Sequence, residues 1–255
     1  MPYCEFNNNK YFYYEQLPEK LDSVNKTILF VHGAGGNGSY WIKQLLGVGD
    51  KFRTLAPDLP GHGKSGGTAC DNIAAYKEFI RKLVDKVIEG RFYLAGHSLG
   101  GAVTLDFSLS YPELLEGIIL IATGAKFGVL PAILDIFKNG RHNHELVRTA
   151  YGKNTPQRMI ELGSREMTAV SPAVWFKDFT ACDRFDVTSR LAEIQLPALI
   201  LTGTDDLLTP LKYGRLLKSG LTGARMEEIG GAGHMLMIER PDDINRRIVD
   251  FMSLK

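Results

Sequence analysis

The pentapeptide Gly96-His97-Ser98-Leu99-Gly100 sets a serine between glycines, after the apolar run FYLAG (92–96) and before a helix-forming stretch from Gly101 to Ser110. A strand that turns at once into a helix strains the backbone at the corner, and flanking glycines let neighbouring chain pass without a Cβ clash. The serine hydroxyl is left projecting from the end of the sheet. The helix behind it brings free N–H groups and the positive end of its dipole to the place where an oxyanion would form. Ser98 is therefore read as a nucleophile, and a serine at its ordinary pKa needs a base and a group to orient that base.

Six histidines could supply the base. His97 adjoins the serine but should point away from the corner; His32 and His62 lie in earlier loops. His142 and His144 form an H-x-H pair with no matching ligands nearby, so no metal site is expected. His234 ends the flexible run Gly230-Gly231-Ala232-Gly233, after a short strand-like stretch and before a helix announced by Pro241, which suits a base carried on a loop. The orienting acid should follow another strand, and ALILT (198–202) runs into Gly203-Thr204-Asp205-Asp206. Adjacent residues point in different directions, so one of the two aspartates, not both, can face the histidine.

An oxyanion needs two donors. Leu99 offers the backbone N–H that follows the nucleophile. TILFV (27–31) ends in His32-Gly33-Ala34-Gly35-Gly36, where small residues let amides approach a substrate, and Ala34 is the expected second donor.

These residues need a scaffold. Apolar runs at 27–31, 52–56, 92–96, 117–122 and 198–202 suit strands buried on both faces of a parallel sheet, with crossover helices between them. The clearest helix carries Ile73, Tyr76, Phe79, Ile80, Leu83, Val84, Val87 and Ile88 on one stripe, with Asp71 as its expected N-cap. Tyr3–Phe6 and Tyr11–Glu15 read as a hairpin turning over Asn7–Lys10. The stretch after Thr123 is too long for an ordinary connection, so 125–182 is expected to be an inserted helical cap, greasy with Phe127, Leu130, Phe137, Trp175 and Phe179.

With 255 residues, 44% hydrophobic and 23% charged, the chain fits one α/β unit, and a net charge of +1 without basic clusters argues against nucleic acid. No apolar run is long enough for a membrane span and the start has no signal-like segment, so a cytoplasmic location is expected. Cys4, Cys70 and Cys182 are odd in number and far apart, and are read as free thiols. Gly33–Gly38 matches a dinucleotide-binding G-x-G-x-x-G with Asp58 twenty residues on, yet that reading leaves Ser98 and His234 unused. Gly61-His62-Gly63-Lys64-Ser65 resembles a phosphate loop, but Asp58 stands where its first glycine should be. No cofactor is expected.

FVHGAGG, DLPGHGKS (58–65), AGHSLGG, the run FDVTSRLAEIQLPALILTGTDDLLTP and GAGHMLMIERP together resemble the α/β-hydrolase family over nearly the whole chain, and within it the small bacterial serine carboxylesterases. The order serine, aspartate, histidine is that family's order. The resemblance implies an eight-stranded mostly parallel sheet flanked by helices, with a core of 1–124 and 183–255 and the cap inserted after the sixth strand. Its pattern places the acid three residues after Gly203 and four before Pro210, which selects Asp206; the site some relatives use instead, after the sixth strand, holds Thr123 and Gly124. A serine nucleophile argues against haloalkane or epoxide opening. The implied activity is hydrolysis of a neutral, short-to-medium apolar ester as the small-molecule partner, through an acyl-enzyme. Lactonase, thioesterase, C–C bond hydrolase and perhydrolase are the alternatives, and a non-catalytic receptor is another. Nothing in the sequence speaks to oligomeric state.

Overall fold

The computed structural model describes residues 2–18 and 26–253. Its eight strands are β1 (Tyr3–Phe6), β2 (Asn9–Gln16), β3 (Thr27–Val31), β4 (Arg53–Pro57), β5 (Phe92–His97), β6 (Leu115–Ile121), β7 (Ala198–Gly203) and β8 (Arg225–Ile229). They form one sheet in the order β1-β2-β4-β3-β5-β6-β7-β8, antiparallel at β1-β2 and β2-β4 and parallel elsewhere. The α/β-hydrolase architecture expected from the sequence is the one observed.

The helices in chain order are α1 (Ile42–Gly49), α2 (Ile73–Val87), α3 (Leu99–Ser110), α4 (Pro131–Lys138), α5 (His144–Thr149), α6 (Gln157–Ala169), α7 (Pro172–Asp183), α8 (Leu211–Gly220), α9 (Leu236–Glu239) and α10 (Pro241–Ser253). Strand alternation sorts the core into two layers. Ile28 and Phe30 of β3 face Trp41, Leu45 and Val48 around α1 and Ile244, Ile248 and Phe251 of α10. Leu29 and Val31 face Ile80 and Leu83 of α2 and Leu99 and Val103 of α3. Both faces are sealed, so β3 reads as a continuous apolar run.

Local chemistry shifts some boundaries. Asn7 and Asn8 both have positive φ, 51° and 58°, and Phe6 pairs with Asn9, so the hairpin turns on two residues rather than four. The N-cap of α2 is Asn72, whose side chain accepts the Ala75 N–H at 2.8 Å; Asp71, the expected cap, pairs with Arg184 instead.

Between β6 and β7 lie α4 to α7, with an apolar cluster of their own in which Phe137, Trp175 and Phe179 stack at 5.5–5.6 Å. The excursion is clasped at its neck: Lys126 and Asp186 form an isolated antiparallel bridge with a 2.8 Å ion pair, and the Val187 N–H donates to Ala125 O at 2.8 Å.

Candidate active site

Ser98 sits between β5 and α3 at φ 52°, ψ −117°, a conformation costing a side-chain-bearing residue on the order of 1–3 kcal/mol. Its surroundings hold it there. The Ser98 N–H donates to Ile121 O at 3.0 Å, and the Thr123 hydroxyl donates to Ser98 O at 2.7 Å. A Cβ at Gly96 would lie 2.0 Å from Gly100 O, and one at Gly100 2.2 Å from Val31 O, so both glycines are steric requirements of the corner. Thr123, which occupies the alternative acid position, thus braces the serine's backbone.

Asp206 and His234 are brought together. The His234 Nδ1 lies 3.0 Å from Asp206 Oδ2, with the Thr209 hydroxyl 3.2 Å from the same nitrogen and donating to that carboxylate oxygen at 2.7 Å. Oδ1 of Asp206 accepts the Leu208 and Thr209 N–H groups at 2.8 and 2.9 Å. Burial works to raise this carboxyl, but the His234 imidazole and the bonds from Thr209 outweigh it and hold Asp206 below the usual carboxylate range. It is therefore ionised at neutral pH. Asp205 turns the other way and accepts the Lys153 N–H at 3.2 Å. The Nε2 of His234 makes no hydrogen bond to a described residue.

Ser98, His234 and Ala34 line one cavity of about 380 Å³, with Phe127, Ile133, Leu146 and Trp175 among its apolar walls. The segment between β6 and β7, its loops as well as its four helices, supplies about half of the lining, and Tyr40, Tyr151 and Lys212 add polar groups. Leu99 opens α3, so its N–H has no partner within the helix. Among the described residues neither it nor the Ala34 N–H donates to a protein acceptor.

His97 has work the sequence did not suggest. Its Nε2–H donates to His234 O at 3.0 Å and its ring packs 4.7 Å from the His234 ring, bracing the loop. Burial and the neighbouring imidazole push His97 down to about 3, so it is neutral. Glu239 braces the same loop from the other side: its carboxylate accepts Gly233 N–H and Gly152 N–H, each at 2.9 Å, and the Thr155 hydroxyl at 2.5 Å.

A second aspartate–histidine pair lies beneath the Ala34 loop. Asp178 of α7 accepts from His62 Nε2 at 2.9 Å, the Gly35 N–H at 2.7 Å and the Tyr76 hydroxyl at 2.5 Å. Nδ1 of His62 faces Pro60 O at 3.0 Å, so both ring nitrogens face acceptors and both must carry protons. Burial opposes that charge, yet Asp178 prevails and raises the His62 pKa. Asp178 was not foreseen. The signal was an aspartate on the buried stripe that also carries Trp175 and Cys182.

Asp58, twenty residues after Gly38, accepts the Gly38 and Lys64 N–H groups at 2.7 Å each. Both features that resembled nucleotide motifs are thus two ends of one buried loop brace.

A serine on a strand-to-helix corner, with a histidine–carboxylate pair on the loops after β7 and β8, defines a class of hydrolytic proteins. The sequence pattern of the alpha/beta hydrolase family matches residues 28–247, and the chain belongs to that family. It is 27% identical over 245 residues to "Putative carbamate hydrolase RutD" of Rhizobium rhizogenes, covering 90% of this chain and 94% of that one. It is 27% identical to 2-hydroxy-6-oxo-6-phenylhexa-2,4-dienoate hydrolase of Comamonas testosteroni, covering 89% and 87%. Among solved structures, the enol-lactonase of Burkholderia xenovorans LB400 superposes with a TM-score of 0.90 at 23% identity, covering 99% and 100%, a likeness of fold. A thermophilic esterase superposes at 0.84 with 27% identity, covering 98% and 96%.

Proposed function

We propose that this chain is a serine carboxylesterase in which Ser98, His234 and Asp206 form the catalytic triad, under a cap built from 125–182. The observation that carries this is the buried 3.0 Å pair of His234 with an ionised Asp206, on the wall of the cavity that also holds the strained Ser98. His234 Nε2 takes the serine proton as Oγ attacks the ester carbonyl, and Asp206 fixes the tautomer and stabilises the imidazolium. The Ala34 and Leu99 N–H groups receive the oxyanion. His234 then protonates the departing alcohol, and a water that it deprotonates releases the acid from the acyl-enzyme.

The apolar walls favour neutral, short-to-medium acyl groups, each buried CH₂ being worth up to ~0.8 kcal/mol. Three free cysteines accord with a reducing, cytoplasmic setting. Among the described residues no helix is long and apolar enough to cross a membrane. The relatives' names include a carbamate and a 2-hydroxy-6-oxo-6-phenylhexa-2,4-dienoate, so a lactone, a thioester, a carbamate and a β-diketone-type compound belong in the same screen as p-nitrophenyl esters. Ser98→Ala should lower kcat by ~10⁴-fold or more. A fluorophosphonate should label wild type once and the variant not at all; labelling at another residue, or wild type inert to every ester, refutes the assignment.

A further inference from the structure

We propose that Asp178 is a positioning residue for the reaction, holding the Ala34 N–H in place for the oxyanion through its bond to the Gly35 N–H; this rests on the esterase reading above. One face of α7 grips the loop. Trp175 and Asp178, three residues apart, reach the same glycine: a Cβ at Gly35 would lie 2.2 Å from the Trp175 ring, and the Gly35 N–H points at the Asp178 carboxylate 2.7 Å away. Gly35 has φ +59°, so the peptide joining it to Ala34 is in a turn that other residues resist. A donor aimed at an oxyanion works only if its direction is set before the charge appears.

The carboxylate itself cannot wander. It is buried completely, with His62 sharing the oxygen that faces Gly35 and the Tyr76 hydroxyl bonded to the other, each from a different part of the core. An anchor tied to the loop at 58–65, to α2 and to α7 thus presents one oxygen to Gly35. Because the anchor belongs to the chain between β6 and β7 and the donor to the chain after β3, the oxyanion loop is correctly shaped only when α7 is seated. The device connects residues 143 apart in sequence.

The test compares Asp178→Ala with Tyr76→Phe in the full chain, following ester turnover and the affinity of a trifluoromethyl ketone, whose adduct on Ser98 places an oxyanion where the transition state has one. Asp178→Ala should lower kcat ~10²-fold with KM changed less than about threefold, and should weaken the ketone by a similar factor. Tyr76→Phe removes a bond to the same carboxylate while leaving the one to Gly35, so kcat and ketone affinity should stay within about threefold even where thermal stability falls. If Asp178→Ala does not fold, Asp178→Asn carries the test, with its single acceptor oxygen expected to lose ~10-fold in both readouts at constant KM. Unchanged kcat and ketone affinity in a folded Asp178 variant, a loss confined to KM, or an equal loss in Tyr76→Phe overturns the proposal. Wild type that neither turns over esters nor binds the ketone would instead sink the esterase reading, and this with it.

Discussion

Two aspartate–histidine pairs of nearly equal length lie in this molecule, Asp206–His234 at 3.0 Å and Asp178–His62 at 2.9 Å, and they differ in the nitrogen turned away from the acid. In His62 that nitrogen donates to Pro60 O, so both ring nitrogens are bonded within the fold and neither borders the cavity. In His234 it makes no bond to a described residue and the ring borders the cavity with Ser98. An acid–imidazole pair is thus a structural tie when both nitrogens are bonded and a candidate proton carrier when one is left open.

The widest separation should appear on deleting the two imidazoles. His234→Ala should lower kcat by ~10⁴-fold or more with folding retained, whereas His62→Gln should destabilise the chain by roughly 3–5 kcal/mol, as removing one partner of a buried pair does. Steady-state kinetics and thermal unfolding of both variants check this; a His62 variant as inactive and as stable as the His234 variant would erase the distinction.

The acids give the next contrast. Asp206→Asn should lose up to ~10⁴-fold in kcat with little change in KM, while Asp205→Asn, whose carboxylate serves the Lys153 N–H, should stay within about tenfold. A larger loss at Asp205, measured at one pH on folded protein, would reverse the assignment.

Smaller still is a difference in pH response, opposite in sign for the two ties. His62 has its pKa raised in the fold, so the stability it contributes is fully present below the ordinary imidazole value of about 6.5 and fades as pH rises through the raised one. Asp206 is held low, so its contribution is present above the ordinary carboxylate value of about 3.9 and fades as pH falls through the lowered one. The Tm advantage of wild type over His62→Gln should therefore shrink on the alkaline side, by about 2–4 °C per kcal/mol lost for a chain of this size. Thermal scans at neutral and alkaline pH read it, and an advantage that grows with pH would contradict a charged His62.

The smallest effect should come from Thr209, which bonds both members of the first pair. Thr209→Val should cost about 3–10-fold in kcat, through the one hydrogen bond its hydroxyl donates to the Asp206 carboxylate, as steady-state kinetics would read.

The first pair was legible in the sequence and the second was not, for a physical reason. Ser98, Asp206 and His234 each sit just past a strand, in loops whose glycines advertise the geometry, and the sheet beneath them follows from apolar runs such as TILFV and GIILIA. Choosing Asp206 over Asp205 needed the spacing to Gly203 and Pro210, because direction within a turn is invisible in composition. Asp178 meets His62 across 116 residues, and nothing local to DLPGHGKS names a partner on a distant helix. β8, with half-buried Met226 and Glu227 and exposed Glu228 at the sheet's edge, was only a strand-like stretch for the same kind of reason: its pairing with β7, not its hydrophobicity, makes it a strand. The one-residue slip from Asp71 to Asn72 reflects two good caps side by side, one of which found Arg184.

The clasp at Ala125–Lys126 and Asp186–Val187 has an evolutionary consequence. Because the two ends of the excursion already meet as paired backbone, a lineage can exchange everything between them without re-threading the sheet, as inserted segments with neighbouring ends allow. The exchange is constrained at one position. With Asp178 acting as proposed, a helix exchanged for α7 has to bring an acceptor for the Gly35 N–H, so the rest of the insert is free to change its contacts with substrate while that one register is not.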